Sequence, residues 1–457
     1  MGKWTRRGFI GAGIVTGGAL VIGVAIRPGH RAPGLAKYVA GEDESLVNAW
    51  VKIDRNNKVT AIVPHSEMGQ GAQTALTQML ADELDARWED VSFLEAPAED
   101  EYANYPLGKG FVLGPTPIPK ILSGTVDGVF LAVTKSLHLQ ITGGSSSIRA
   151  TGVYGMRVAG AAAKIMLREA AAEKWGVNPE EVVAQEGMLI HSASSNKAPF
   201  ADFASQAAEK TPPVAPVLKT PDQFTIMGKH KPRFDIPAKV DGTAMFGIDV
   251  VVDGMKYAAV KAAPVFGATL KSADTAAAEK MPGVIKVVKL ADAVAVVADG
   301  YWLADKALAM VDVKWNTTKQ DGNSSAKIFD QFESDMASSR ESGDIHGDMQ
   351  IGDADKSLEA ADRIIERKYK VPYLAHACME PMNAVAHYND GACDLWTGTQ
   401  NPLGFKHEVA KALEIEPANV KVTNYFMGGG FGRRATPDAA IQAAQISKAV
   451  GLPVKLI

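Results

Sequence analysis

Cysteine is almost missing from this chain: Cys378 and Cys393 are the only two in 457 residues. With no CxxC pair and no zinc-ligand spacing, the chain cannot hold an iron–sulfur cluster by itself. The two thiols read as partly buried, and spacing alone leaves open whether they pair. A basic excess is missing too. Lys plus Arg number 48 against 52 Asp plus Glu, a net charge of −4. Without a basic stripe interleaved with aromatics, a nucleic-acid binder is excluded. No Walker or Rossmann glycine pattern, no HExxH and no Gly-x-Ser-x-Gly elbow occurs, which removes the usual nucleotide, zinc-peptidase and serine-hydrolase readings. The apolar run 10–26 is about 17 residues long and broken by glycines, poor for a ~30 Å hydrocarbon core.

What is present is ordinary globular composition, 46% hydrophobic and 22% charged. The length suggests two to four domains with sizeable cores. Thr5-Arg6-Arg7-Gly8-Phe9-Ile10 ahead of the apolar run resembles a twin-arginine export signal. Residues 1–30 are therefore expected to address the chain to the periplasm. No clear Ala-x-Ala site follows, so cleavage stays open and an uncleaved signal would tether the chain to a membrane.

From Leu46 the chain reads as an α+β protein. Residues 48–53 and 58–63 form a strand pair across Asp54-Arg55-Asn56-Asn57. Residues 73–85 carry Leu76, Met79, Leu80 and Leu84 on one helical face, and 158–175 form an alanine-rich helix stopped by Gly176. The Gly- and Pro-rich stretch 106–123 reads as a loop. Thr211-Pro212-Pro213-Val214-Ala215-Pro216 reads as a linker. The expected domains are 45–210, a small α+β unit at 222–316, and 355–457, with 316–349 a polar surface insertion. Residues 453–457 read as a buried strand begun and not finished. Truncation is expected there, together with aggregation through the incomplete sheet.

Several donor-rich loops carry the chemistry. Glu67-Met68-Gly69-Gln70-Gly71 joins a strand to a helix, where glycines allow close backbone approach and the helix N-terminus favours an anion. Thr142-Gly143-Gly144-Ser145-Ser146-Ser147-Ile148-Arg149 is a second such loop. Trp396-Thr397-Gly398-Thr399-Gln400-Asn401-Pro402 ends a strand with a neutral amide. Met427-Gly428-Gly429-Gly430-Phe431-Gly432-Arg433-Arg434 brings four glycines and two arginines before a helix running to Ala449 and stopped by Gly451. His376 and Glu380, four apart, read as metal ligands, an acid–base pair or, preferred here, a structural hydrogen-bonded pair. No protein-held metal centre is expected.

These motifs, with Val240-Asp241-Gly242-Thr243 and His376-Ala377-Cys378-Met379-Glu380-Pro381, resemble the molybdenum hydroxylases, the xanthine dehydrogenase family. Their order is similar to the exported isoquinoline-oxidising type. The resemblance implies molybdopterin-binding α/β domains at 45–210 and 355–457 and a hammerhead-like unit at 222–316. It implies molybdenum with molybdopterin, as the cytosine dinucleotide, and a separate small subunit carrying 2Fe–2S clusters. A C-terminal continuation or a cytochrome c acceptor are further implied partners.

By the same resemblance Gln400, Phe431 and Gly432 stand beside the metal. Gly69, Gln70 and Gly71, Ser145, Ser146 and Ser147, and Gly428, Gly429, Gly430 and Arg433 contact the cofactor. The implied reaction hydroxylates an aldehyde or an aromatic N-heterocycle with oxygen from water. The family's catalytic glutamate sits in a Gly-Val-Gly-Glu segment. This sequence contains none, and neither Glu67 nor Glu380 takes its place. The chain alone is expected to be inactive.

Overall fold

The computed structural model describes residues 31–114, 116–342 and 351–457. The expected export signal at residues 1–30 lies outside the described residues.

The first body opens with helix α1 (Ala32–Val39) and strands β1 (Glu44–Asn48), β2 (Val51–Asp54) and β3 (Val59–Val63). Helix α2 (Ala72–Leu84) leads into β4 (Val91–Glu95), which pairs parallel with β3. The sheet order is β1-β2-β3-β4, so β3-α2-β4 is a crossover unit. Helices α3 (Tyr105–Leu113), α4 (Lys120–Ser136), α5 (Gly144–Thr151) and α6 (Arg157–Trp175) follow, and β5 (Val183–Gln185), β6 (Met188–His191) and β7 (Asn196–Pro199) form a small separate sheet.

The leucine stripe on α2 predicts its packing correctly: Leu76, Leu80 and Leu84 are fully buried. Their partner is α6, whose small residues let the two backbones approach. A Cβ at Gly160 would lie 2.2 Å from the Leu80 carbonyl oxygen, so only glycine fits that crossing. Left-handed residues end both helices, Asp85 at φ 60° after α2 and Gly176 at φ 65° after α6.

The expected loop at 106–123 is corrected. It contains α3 and the first turn of α4. Asn104 caps α3 by accepting from the Leu107 amide, and Pro106 sits in the first turn, where proline is tolerated. Gly110 is a packing glycine rather than a breaker, since a Cβ there would lie 2.5 Å from Ala150 Cβ.

The second body is one seven-stranded sheet. Its strands are β8 (Lys256–Ala262), β10 (Val284–Lys289), β11 (Ala293–Ala298), β13 (Ala384–Asn389), β14 (Ala392–Thr397), β15 (Val420–Asn424) and β16 (Val454–Leu456); β9 (Leu270–Asp274) and β12 (Asp312–Trp315) pair beside it. The order is β10-β11-β8-β16-β13-β14-β15. Strands from the ranges 222–316 and 355–457 thus share a single sheet, and no sheet boundary separates those two expected units.

Helix α7 (Tyr301–Leu308) covers one face through Val294, Val296 and Ala298. Helices α9 (Pro402–Leu413) and α10 (Asp438–Val450) cover the other through Ala295, Val297, Leu395 and Leu456. Between α7 and α9, the exposed helix α8 (Ser325–Ser342) occupies the expected polar insertion. Burial on both faces explains why β11 reads Ala-Val-Ala-Val-Val-Ala without alternation.

The expectation of an unfinished sheet at 453–457 is also corrected. β16 pairs antiparallel with β13 on one side and parallel with β8 on the other. It is an interior strand with no free edge, so its ladder offers no template for another chain. Among the described residues no helix is long and apolar enough to cross a membrane.

Candidate functional site

Two crossover units face each other. In the first body β3-α2-β4 ends its parallel strands at Val63 and Glu95; in the second β14-α9-β15 ends its parallel strands at Thr397 and Asn424. Loops at the C-terminal ends of parallel strands form the crevice where α/β proteins bind ligands. The four donor-rich loops of the sequence come together there. The Asn424 Nδ2 donates to Glu95 Oε1 at 2.6 Å and to Ser66 Oγ at 2.8 Å. The Met427 amide donates to the Glu67 carbonyl at 3.2 Å. The Thr142 amide donates to the Gln400 carbonyl at 2.7 Å, and Gln400 Nε2 returns a bond to the Thr142 carbonyl at 2.9 Å.

Most of the residues expected at the cofactor also bond within the chain. Gln70 Oε1 accepts from the Met68 amide and its Nε2 donates to the Ser66 carbonyl, so the side chain holds its own loop. The Gly69 and Gly71 amides donate to Glu67 Oε1 at 2.8 and 3.0 Å. A carboxylate of the chain therefore already occupies that anion cradle. Gln400 is nearly fully buried, and its Oε1 accepts from the Gly432 amide at 3.0 Å. Ser147 is buried and exchanges bonds with Gly143, while Ser146 Oγ donates to the Gly143 carbonyl. The Gly428 amide donates to Glu380 Oε2, and Arg433 makes a two-pronged pair with Asp438. In each case a local partner reaches the group first, because a donor buried without an acceptor is costly.

The expected His376–Glu380 pair does not form. His376 is exposed, whereas Glu380 is buried against Arg434, with Arg434 Nη2 3.0 Å from Glu380 Oε2. Arg434 also donates to the carbonyls of Gly429 and Glu380. Fully buried, it pulls the glycine loop into shape from beneath.

What this bracing leaves unclaimed is informative. Among the described residues the amides of Gly429, Gly430 and Phe431 donate to no protein acceptor. They are consecutive, and runs of such amides bind anions and oxo groups. Phe431, 65% exposed, adopts a left-handed φ of 51°, a strained conformation for a bulky residue. The hydroxyl of Ser145, at the start of α5, likewise bonds to no protein group among the described residues. Gly69, Gly143, Gly144 and Gly432 have open space where a Cβ would stand. A large group with anionic oxygens fits this donor set. The residues that would hold it are Gly429, Gly430, Phe431 and Ser145.

Glu95, His65 and Asn424 escaped the sequence reading. Burial pushes the Glu95 carboxyl up to about 7, against hydrogen bonds from Asn424, Ser66 and Gln73 that favour its ionised form. Burial holds the His65 imidazole down at about 3; its ring bonds Thr142, Thr151 and Asn104 and ties β3 to the serine loop. The available signal was positional. Each is a polar residue at or just past the end of an apolar strand, on the side where the loops gather.

Residues 13–104 and 337–457 each match the molybdopterin cofactor-binding domain. The chain is 30% identical to the isoquinoline 1-oxidoreductase beta subunit of Brevundimonas diminuta, over 100% of this chain and 59% of that protein. It is 27% identical to the membrane-bound aldehyde dehydrogenase [pyrroloquinoline-quinone] of Gluconacetobacter polyoxogenes, over 99% of this chain and 55% of that one. It is 26% identical to a nicotinate dehydrogenase chain of Pseudomonas putida, over 96% of this chain and 34% of that one. The chain thus spans between 34% and 59% of the length of these curated relatives. Domain matches at both ends and similarity along its whole length lead to one conclusion: the chain carries molybdopterin cofactor-binding domain sequence and resembles, over part of their length, the large subunits of the molybdenum hydroxylase family.

Proposed function

We propose that this chain holds the molybdopterin of an oxidoreductase that hydroxylates an aldehyde or an aromatic N-heterocycle. The observation that carries the reading is the run of unclaimed amides at Gly429, Gly430 and Phe431, set where four loops from two crossover units meet. When bound, the molybdenum cofactor, here taken as the cytosine dinucleotide, supplies the redox chemistry that removes two electrons from the substrate carbon, with water as the oxygen source.

The chain's own part is binding and orientation. The three amides cradle anionic oxygens without help from a mobile cation, because Arg433 is committed to Asp438 and Arg434 to Glu380. Gln400 fixes the loop through Gly432. Phe431 offers an exposed ring face as one wall. With two cysteines in the chain, electrons leave through a separate 2Fe–2S subunit. Arg6 and Arg7 ahead of the apolar run support export to the periplasm. Replacing both by lysine is expected to keep the protein out of the periplasmic fraction, and unchanged fractionation would remove the export reading.

The chain co-expressed with its small subunit is expected to contain about equimolar molybdenum and pterin. Molybdenum is read by elemental analysis and pterin by its fluorescence after oxidation. An assembly free of both would overturn the proposal. Gly430→Ala places a methyl 2.7 Å from Met68 Sδ and 2.8 Å from Gln400 Oε1 and is expected to lower the pterin content.

A second reading, in which the chain holds the cofactor without turning over by itself, is favoured by its carboxylates. Glu67, Glu95 and Glu380 surround the loops, and each is consumed by hydrogen bonds to the chain. None is a free general base. Hydroxylase activity in the purified, cofactor-loaded single chain would exclude this reading.

A further inference from the structure

Away from the glycine loops, the two bodies touch at a second place that the molybdopterin reading does not use. Asp100 lies in the short helical turn Asp100–Tyr102 after β4, and His138 follows the end of α4. His407 comes from the opposite body, on α9. One ligand atom from each side chain lies within 4.8 Å of the others. His407 Nε2 is 3.2 Å from Asp100 Oδ1, and His138 Nδ1 is 4.0 Å from the same oxygen. The imidazoles stack with centroids 3.4 Å apart and planes 12° from parallel.

An ordinary Asp100–His407 hydrogen bond explains only part of this. His138 Nδ1 is shielded from solvent and has no hydrogen-bond partner. His138 also holds a left-handed φ of 50°, which a non-glycine residue adopts at a cost. A strained residue thus holds an unpartnered nitrogen 4.0 Å from a carboxylate while its ring lies against a second imidazole, a set of donors that one cation would draw together.

The neighbouring charges sharpen the point. In the acidic run 99–101, Glu99 pairs with Lys406 at 2.9 Å, and Glu101 pairs with Lys135 and with Arg31. Each flanking carboxylate has a cation of its own. Asp100 alone in the run faces two imidazoles instead.

We propose that Asp100, His138 and His407 form a divalent transition-metal site that clamps the first body to helix α9. Two imidazole nitrogens and one carboxylate oxygen suit Zn²⁺ and its near neighbours Co²⁺ and Ni²⁺. In a tetrahedral Zn²⁺ site, ligand atoms ~2.0–2.1 Å from the metal lie ~3.3 Å from one another. The His407–Asp100 spacing already fits. His138 Nδ1 must close by less than ~1 Å, and the imidazoles must rotate out of their stack, now 12° from parallel, so that both in-plane lone pairs meet at one ion. Water completes the fourth position. The site is structural, separate from the glycine loops, and does not depend on the chain's redox role.

The test uses the full chain with its small subunit, freed of metal by chelation and titrated with Zn²⁺ by calorimetry and with Co²⁺ by visible absorption. The expected result is one ion per chain, a tetrahedral Co²⁺ spectrum and a higher unfolding midpoint with metal, since the ion binds only the assembled fold. The chain has nine histidines, so variants must place the ion. His407→Gln and, separately, His138→Asn, which tolerates the left-handed backbone, are expected to weaken binding at least tenfold and abolish the midpoint shift. Asp100→Asn provides a third, surface variant that leaves folding intact. Absence of Zn²⁺ binding, or binding unchanged in the His138→Asn/His407→Gln double variant, would overturn the proposal. Molybdenum content is expected to be the same in all variants, which separates this site from the cofactor reading.

Discussion

Two segments border the site, and they are built in opposite ways. Residues 427–434 are short, glycine-rich and held at almost every turn. Glu380, Gln400, Glu67 and Arg434 each bond that loop. Residues 362–375, which lead into Glu380, form no backbone–backbone hydrogen bond among the described residues. They leave Tyr369 88% and Val371 81% exposed. Tyr369, Val371 and Tyr373 recur at every second position as on one face of a strand, yet no ladder receives them; their local anchors are ion pairs from Lys368 and Lys370 to Glu333 on α8. The contrast teaches that apolar alternation does not make a strand without a paired edge. A loop with almost no side chains, by contrast, can be rigid when buried charges hold its carbonyls.

The largest expected effect breaks the braced side. Arg434→Met strips the buried Glu380 carboxylate of its cation, and leaving one charge of such a pair unmatched costs about 3–5 kcal/mol. Chemical denaturation checks this; a loss below about 1 kcal/mol would mean the loop is held otherwise.

Next is the pH response of Glu95. Its carboxyl titrates near 7 in the fold and near 4.5 when unfolded, so the native state holds the extra proton between those values. The resulting stabilisation is complete below about 4.5 and lost as pH rises through about 7. Glu95→Gln is expected to flatten the fall in stability across that window, by on the order of 2–3 kcal/mol. A wild-type midpoint independent of pH there would contradict the assignment.

Gly428→Ala puts a methyl 2.4 Å from Glu380 Cβ and is expected to destabilise by about 1–3 kcal/mol, read from thermal unfolding. The smallest effect belongs to the uncovered side. Tyr369→Ser removes little buried surface and is expected to change stability by no more than about 0.5 kcal/mol. In the same segment, trypsin is expected to cut at Lys368 or Lys370 well before Arg433 or Arg434. First cleavage at Arg433 would reverse the order of the two segments.

Much of the local structure was legible because it rests on short-range rules. The α2 stripe, the glycine helix stops at Gly176 and Gly451, and the 48–63 hairpin all follow from periodicity and turn chemistry. The helix at 105–113 was hidden because its glycines look like breakers and are in fact contact points, Gly108 for Thr134 and Phe130 and Gly110 for Ala150 and Tyr154. The interior place of β16 was hidden because its partners, β8 and β13, lie 198 and 70 residues upstream by their first residues, 454 − 256 and 454 − 384.

For the site, sequence identified the loops but not the atoms. That Gly69, Gln70, Gly71, Ser147, Gly428 and Arg433 spend their polar groups on the chain itself depends on which acceptor is nearest in three dimensions. So does the freedom of Gly429, Gly430 and Phe431. The α+β class, the family resemblance and the four loops were fixed by residue pattern, because glycine spacing and apolar period are written locally along the chain. Which donors remain available was decided only when two crossover units came face to face, because a hydrogen bond is settled by distance in the folded chain.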